Sequence, residues 1–268
     1  MKPGSVALCL ASFAAAASAT AAEIDARPYD KLALSGSTSS FVDSDAEGGG
    51  GSFSYLHYFT PDFLAGAGVD HTYVERSKLT YGSLRAAWGR GEPDSRSILV
   101  GEYYNGEGDD AGRKFDYQVG VLSLSQAISS KFSVQLETRQ IDIDTTHGNL
   151  PKLGLTYVWS PRLVTNLSYA QSVSGNLGTE LTSARFDYYG KHVNLMFGGS
   201  TGKANPAVLV LQPGVVLPAS YSNEGFLGIA KPFERCELQL LGDYLEVSGV
   251  EKITVTLSFI AYLGSRGQ

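Results

Sequence analysis

The sequence predicts an all-β protein, a transmembrane antiparallel up-and-down β-barrel of about 14 strands, with 12–16 allowed by the pattern. Three observations lead to this prediction. Apolar and polar residues alternate with period 2 along most of the chain. The connections between alternating segments fall into a short set and a longer, polar set. No window beyond the N-terminal segment approaches the ~18 consecutive apolar residues that a helical span requires.

The length fits one large domain or two small ones, and the composition favours β structure. The chain has 268 residues with 31 Gly, 15 Tyr and 12 Phe, and large all-β barrels commonly use about 200–250 residues as one domain. The 27 acidic and 21 basic residues give a formal charge of −6, which disfavours a nucleic-acid surface, since such proteins usually carry a basic excess.

The first residues have the pattern of a secretory signal peptide. Lys2 supplies the positive region, residues 5–17 are apolar, and small residues follow at Ala17, Ala19 and Ala21. The predicted organisation is a cleaved signal peptide at 1–22, a short periplasmic segment at 23–30, the barrel at 31–264 and a tail at 265–268.

Alternation along the strands predicts which side chains face lipid and which face the lumen. It is clear in segments 115–121, 153–159 and 253–259, where the apolar set is expected to face lipid and the polar set the lumen. The charged residues that this assignment places in the lumen, as candidate pore-lining residues, are Asp70, Arg85, Glu102, Asp116, Glu137, Arg139, Lys152, Arg185, Asp187, Glu237 and Asp243.

These charges favour a wet interior. A Lys or Arg facing hydrocarbon costs about 2–4 kcal/mol at the bilayer midplane, and a dry lumen would be equally unfavourable unless every charge were paired. About fourteen strands lie between the eight that side chains can fill and the sixteen to eighteen that leave an aqueous channel. A narrow passage and a structural interior in which the charges satisfy one another both remain open.

The connections predict the sidedness of the barrel. Short turns are expected near 60–62, 128–130 and 160–162, whereas longer polar loops are expected at 43–51, 105–114, 144–150, 174–180 and 203–223. Short periplasmic turns and longer extracellular loops are typical of outer-membrane barrels. Segment 203–223 is unusually apolar, which fits either an outward hairpin or a flap folded into the mouth.

In these features the chain resembles Gram-negative outer-membrane β-barrel proteins over its mature length, and within them the small YaiO-type barrels. The aromatics near predicted strand ends that support the resemblance are Tyr58, Phe59, Trp88, Tyr157, Trp159, Tyr188 and Tyr189. The resemblance implies an outer-membrane location after export, contact with lipid and lipopolysaccharide, and insertion by the barrel assembly machinery. It implies no catalytic residue and no cofactor. The chain departs from such barrels at its end, because Phe259 and Tyr262 are followed by further residues.

Motifs for catalysis and metal binding are weak. Residues 198–202 match G-x-S-x-G, but no helical pattern follows, as a nucleophile elbow would need. Asp43, Asp45 and Glu47 match the first half of a calcium loop, although Ser54 stands where the bidentate Glu belongs. We therefore expect no enzyme and no bound metal, with these three acidic residues as weak surface candidates for a cation.

The function expected from the sequence is a narrow water-filled channel or export pore for small polar solutes or a polymer. The alternative is a non-conducting structural barrel that binds a partner and anchors a periplasmic or surface assembly.

Overall fold

Antiparallel strands account for almost all of the computed structural model, which describes residues 30–42, 44–204, 220–247 and 249–263. Fourteen long strands, one two-residue strand (β10) and a single 3-10 turn at Pro93–Ser95 are present in those residues. The strands are β1 Asp30–Phe41, β2 Glu47–Thr60, β3 Phe63–Val74, β4 Ser77–Arg90, β5 Ser97–Asp110, β6 Arg113–Ser129, β7 Phe132–Ile143, β8 Thr146–Ser160, β9 Leu163–Gln171, β10 Ser174–Gly175, β11 Glu180–Tyr189, β12 Asn194–Ala204, β13 Ser220–Pro232, β14 Cys236–Val247 and β15 Val250–Leu263.

The long strands close into one barrel. Each pairs with its neighbours in sequence, β9 pairs with β11, and β1 closes the ring by pairing with β15, where Leu34 lies opposite Phe259. A closed antiparallel ring pairs the backbone groups of every long strand, which is what hydrocarbon surroundings demand. The fourteen-stranded barrel predicted from the sequence is confirmed. In the part of the chain described, no helix has the length and apolar character needed to cross a membrane.

The two ends of the barrel differ less in loop length than the sequence predicts. We call the end that carries Asp30 and Leu263 the proximal end and the other the distal end. Proximal turns at 130–131 and 161–162 have two residues, but so do distal turns at 111–112 and 144–145. The predicted long loops at 105–114 and 144–150 are therefore wrong.

The distal strands are instead extended hairpins. Ala111 (φ 53°) and Gly112 (φ 96°) both have positive φ, the backbone of the tight turn that matches strand twist. The predicted loop at 43–51 is also shorter, because β2 begins at Glu47. Residues 205–219, the centre of the predicted apolar loop, lie outside the described residues.

The outside of the barrel has the pattern of a membrane span. An exposed apolar belt surrounds it, formed by residues such as Leu34, Leu84, Leu122, Leu136, Leu155, Leu167, Leu227, Leu240 and Leu257. Exposed aromatics border this belt, near the proximal end as Phe59, Phe63, Trp88, Tyr157, Trp159 and Tyr188, and on the distal side as Tyr73, Tyr103, Tyr169 and Tyr244. Aromatic girdles on both sides of an apolar band are typical of transmembrane barrels.

The polarity of the two faces reverses toward the distal end. On β6, Leu122 and Leu124 are exposed on the outside and Ser123 is buried inside. Farther along the same strand, Phe115 and Tyr117 are buried inside, on the same face as Ser123, whereas Asp116 is exposed. The predicted lumenal position of Asp116 is therefore wrong. Because the distal strands leave the apolar belt, their outer face meets water and their apolar residues fill the interior.

Candidate functional site

The barrel interior is the candidate site, and it consists of three layers. In the middle lies a belt of charged side chains from β4, β5, β7, β8 and β11, which we call the polar belt. A distal apolar layer lies on its distal side, and a smaller proximal apolar cluster lies on its proximal side. The distal apolar layer comprises Phe41, Ala46, Val74, Leu79, Tyr81, Tyr104, Phe115, Tyr117, Val119, Ile141, Ile143, Leu150, Ala170, Leu177, Leu245 and Val247. The proximal apolar cluster comprises Leu64, Ala87, Ile98 and Val100, with Leu56 and Tyr58 against it.

Aromatic packing organises the distal apolar layer. The ring centroids of Tyr81 and Tyr117 are 5.2 Å apart, and those of Tyr81 and Tyr104 are 6.2 Å apart in an edge-on arrangement. The ring of Phe115 lies over Gly108, where an added Cβ would come within 1.7 Å of it. Gly108 therefore provides the space into which the Phe115 ring turns, inside the barrel.

The connection between β9 and β11 adds a residue to the distal apolar layer. The two-residue strand β10 pairs with β8, with Gly175 opposite Gly148. The side chain of Asn176 donates a hydrogen bond to the carbonyl oxygen of Thr145 at 2.7 Å. This bond holds the connection against the neighbouring turn between β7 and β8. Leu177 is completely buried in this layer. The predicted polar loop at 174–180 is thus a structured segment that covers part of the distal interior.

The polar belt has its densest network on β7 and β8. Glu137 accepts a hydrogen bond from Arg139 Nε at 2.7 Å and from Lys152 Nζ at 3.2 Å. The Glu137 side chain is 3 % exposed, whereas those of Arg139 and Lys152 are 31 % and 23 % exposed. The carboxylate is therefore covered by two cations, and it is the cations that face the space inside the barrel.

Two further groups continue the belt. Arg85 Nε lies 3.3 Å from Glu102 Oε1, and the Tyr104 hydroxyl donates to Glu102 Oε2 at 2.6 Å. On β11, Arg185 Nε donates to Asp187 Oδ1 at 2.8 Å. Each charge in these groups has an opposite charge beside it, which is how buried ions are tolerated.

The wall formed by β13, β14 and β15 carries more carboxylates. Asp243 and Lys252 are buried on it, and Glu224 accepts a hydrogen bond from Ser200 Oγ at 2.9 Å. Sequence reasoning missed Glu224 and Lys252. Alternation could have placed Lys252 inside the barrel, because it shares its strand face with Thr254. It was not assigned to the lumen because it lies beside a predicted turn.

The structure places ten of the eleven predicted lumenal residues inside the barrel, as strand alternation and exposure show. They are Asp70, Arg85, Glu102, Glu137, Arg139, Lys152, Arg185, Asp187, Glu237 and Asp243. Asp116 is on the outside. Their role in lining a pore stays a prediction.

The predicted surface cation candidates gain no support. Asp45 and Glu47 are exposed, and Asp43 lies outside the described residues. No group of three or more His, Cys, Asp or Glu residues in the described ranges could hold a metal ion.

Comparison with solved structures identifies the architecture. CymD, a monoaromatic hydrocarbon channel, is similar with a TM-score of 0.64 and 11 % identity, over 92 % of this chain and 91 % of its own. The Pseudomonas putida toluene transporter TodX is similar with a TM-score of 0.54 and 12 % identity, over 96 % and 95 %. The Acinetobacter baumannii outer membrane protein Omp33 is similar with a TM-score of 0.52 and 7 % identity, over 88 % and 100 %.

At these identities the likeness establishes the fold, that of outer-membrane β-barrels. No protein-family model and no curated protein matches the sequence. The resemblance to YaiO-type barrels is not confirmed by the structural neighbours.

Proposed function

We propose that this chain is an outer-membrane channel for small solutes, and that the distal apolar layer is the barrier that limits passage. The observation that carries the proposal is the exposure of the cations in the polar belt. Arg139 and Lys152 point into the barrel yet keep 31 % and 23 % of their side-chain surface accessible. Open space beside charged groups favours a wet section of lumen over a solid core.

The distal apolar layer sets the proposed selectivity. A hydrophobic constriction can close a pore by dewetting, and such a barrier opposes ions far more than uncharged molecules. We therefore infer small uncharged solutes with some apolar surface, in place of the ions and polymers that a wide wet pore would pass. The naming of CymD as a monoaromatic hydrocarbon channel supports this class.

The exterior supports the proposed location and partners. The apolar belt with its aromatic borders fits a bilayer, and the polar distal hairpins fit water beyond it. We propose that the proximal end faces the periplasm, that lipid and lipopolysaccharide contact the belt, and that the barrel assembly machinery inserts the chain. Export by a cleaved signal peptide at 1–22 belongs to the same proposal.

Swelling of proteoliposomes tests the proposal. The purified barrel, shown to be folded by its heat-dependent migration in gels, is reconstituted and exposed to isosmotic uncharged solutes of increasing size. We expect swelling with the smallest solutes that declines with size. Swelling no faster than in empty liposomes, with the barrel folded, would contradict passage through the lumen.

A second function is a non-conducting barrel that anchors a periplasmic or surface assembly. The density of the distal interior favours it, since Leu79 and Leu177 are completely buried there. A folded barrel that passes no solute in the swelling experiment would make this function the better account.

A further inference from the structure

A cavity of about 140 Å³ lies inside the barrel against β2, β3, β4 and β5. It meets Leu56 of the proximal apolar cluster on one side and Tyr81 and Tyr104 of the distal apolar layer on the other. Three serine hydroxyls, from Ser52, Ser54 and Ser83, and the charged side chains of Asp70, Arg85 and Glu102 complete its polar lining. The cavity is thus part aromatic and part acidic.

Asp70 is the unusual group in this cavity. Its residue surface is 7 % exposed, and its Oδ1 atom accepts no hydrogen bond from any residue that the structure describes. Tyr81, which lies opposite Asp70 in the β3–β4 register, offers its hydroxyl to this carboxylate but brings no positive charge. Arg85, the cation that also lines the cavity, pairs instead with Glu102. A buried carboxylate without a compensating charge is costly, so a ligand that supplies one would be strongly favoured.

The size and lining of the cavity define the ligand. A cavity of about 150 Å³ holds a benzene ring, close to the volume present here. Tyr81 and Tyr104, which pack edge-on with ring centroids 6.2 Å apart, give the cavity an aromatic wall, and aromatic side chains attract both aromatic rings and cations. We propose that this cavity binds a small monocyclic primary amine, with its ammonium group on Asp70 and its ring against the wall formed by Tyr81, Tyr104 and Leu56.

The binding site does not depend on the proposed channel, because a ligand can bind inside a barrel without passing through it. Binding of the amine without liposome swelling would support the site and contradict the channel. Swelling without binding would support the channel and contradict the site. The two proposals therefore fail separately.

Calorimetric titration of the folded barrel in detergent with benzylammonium tests the site. The titration is made at about pH 8, where the amine and a carboxylate are ordinarily both ionised. We expect saturable binding of one molecule per chain, and weaker binding of benzyl alcohol, which has the ring without the charge. Asp70→Asn should weaken benzylammonium binding roughly ten- to hundredfold, as loss of a charged hydrogen bond does.

Asp116→Asn is the matched control, because Asp116 is exposed on the outside of the barrel, and it should leave the affinity unchanged. Without ligand, Asp70→Asn should melt at or above the temperature of the parent, since it removes an uncompensated buried charge. No benzylammonium binding by the parent, equal binding by Asp70→Asn, or a large loss of stability in unliganded Asp70→Asn would each overturn the proposal.

Discussion

Val119 on β6 and Ile141 on β7 lie directly opposite each other in register, and both are buried inside the barrel. The residues beside them in the same ladder, Gln118 and Asp142, are also opposite each other but exposed on the outside. Two residues of the membrane belt on the same strands, Leu122 and Thr138, form an outward pair in the same register. The distal hairpins therefore have apolar residues inside and polar residues outside, as in a water-soluble barrel. The same strands have the opposite arrangement in the membrane belt.

The reversal of polarity predicts opposite effects for two adjacent residues. Phe115→Ala removes a ring from the distal apolar layer and should lower the free energy of unfolding by about 3–5 kcal/mol. Asp116→Ala, on the exposed face, should change it by no more than about 0.5 kcal/mol. Denaturant unfolding in detergent measures both. A larger decrease in the free energy of unfolding for Asp116→Ala than for Phe115→Ala would support the lumenal position of Asp116 that the sequence predicted.

The edge of the apolar belt can be located with one substitution at two positions on β7. Leu136 and Gln140 are both exposed on the outside, four residues apart, with Gln140 toward the distal end. Leu136→Arg should destabilise the barrel in lipid by about 2–4 kcal/mol, because it places a cation against hydrocarbon, whereas Gln140→Arg should cost about 0–1 kcal/mol. Folding yields into vesicles compare the two. Equal folding yields for the two variants would contradict the assignment of Leu136 to the apolar belt and of Gln140 to the region beyond it.

The sequence predicted the barrel well because period-2 alternation is a direct consequence of strand geometry. The exposed leucines at 153 and 155 and the lumenal Glu137 and Arg139 follow from it. It failed at Asp116 because alternation separates two faces without showing which face meets water.

The other failures have related causes. Asn105 and Glu107 suggested a loop, but both lie on the outer face of β5, where polar residues on a strand in water are ordinary. Leu177, between polar neighbours, gave no periodic signal, and the pairing of β10 with β8 that carries it inward is a tertiary contact. Cavities such as the one at Asp70 depend on how distant strands close into a ring.

The network around Glu137 should be a strong contributor to stability. Glu137→Gln leaves Arg139 and Lys152 without their shared carboxylate, and should lower the free energy of unfolding by about 2–4 kcal/mol, since both cations keep partial access to water. Adding Lys152→Met to Glu137→Gln should recover part of that loss. Thermal unfolding of the parent, the two single variants and the double variant gives the coupling energy. Strict additivity would show that the pair does not interact.

The orientation of the barrel is tested by labelling intact cells. An epitope inserted in the distal turn at 111–112 should be accessible from outside, whereas one in the proximal turn at 130–131 should become accessible only after the outer membrane is opened. Both are two-residue turns, so the insertions are structurally matched. Labelling of intact cells at 130–131 and not at 111–112 would show that the barrel has the opposite orientation in the membrane.

The conductance of single barrels in planar bilayers, with and without polar residues in the distal apolar layer, tests the central claim most directly. The parent should show little ion conductance, because ions must cross the layer that includes Val119 and Ile141. The double variant Val119→Ser, Ile141→Ser should conduct well above the parent, since it allows water into that layer. The matched variant Gln118→Ser, Asp142→Ser, on the outer face, should behave as the parent does. A folded double variant that remains as silent as the parent would contradict the account, and would favour a structural barrel.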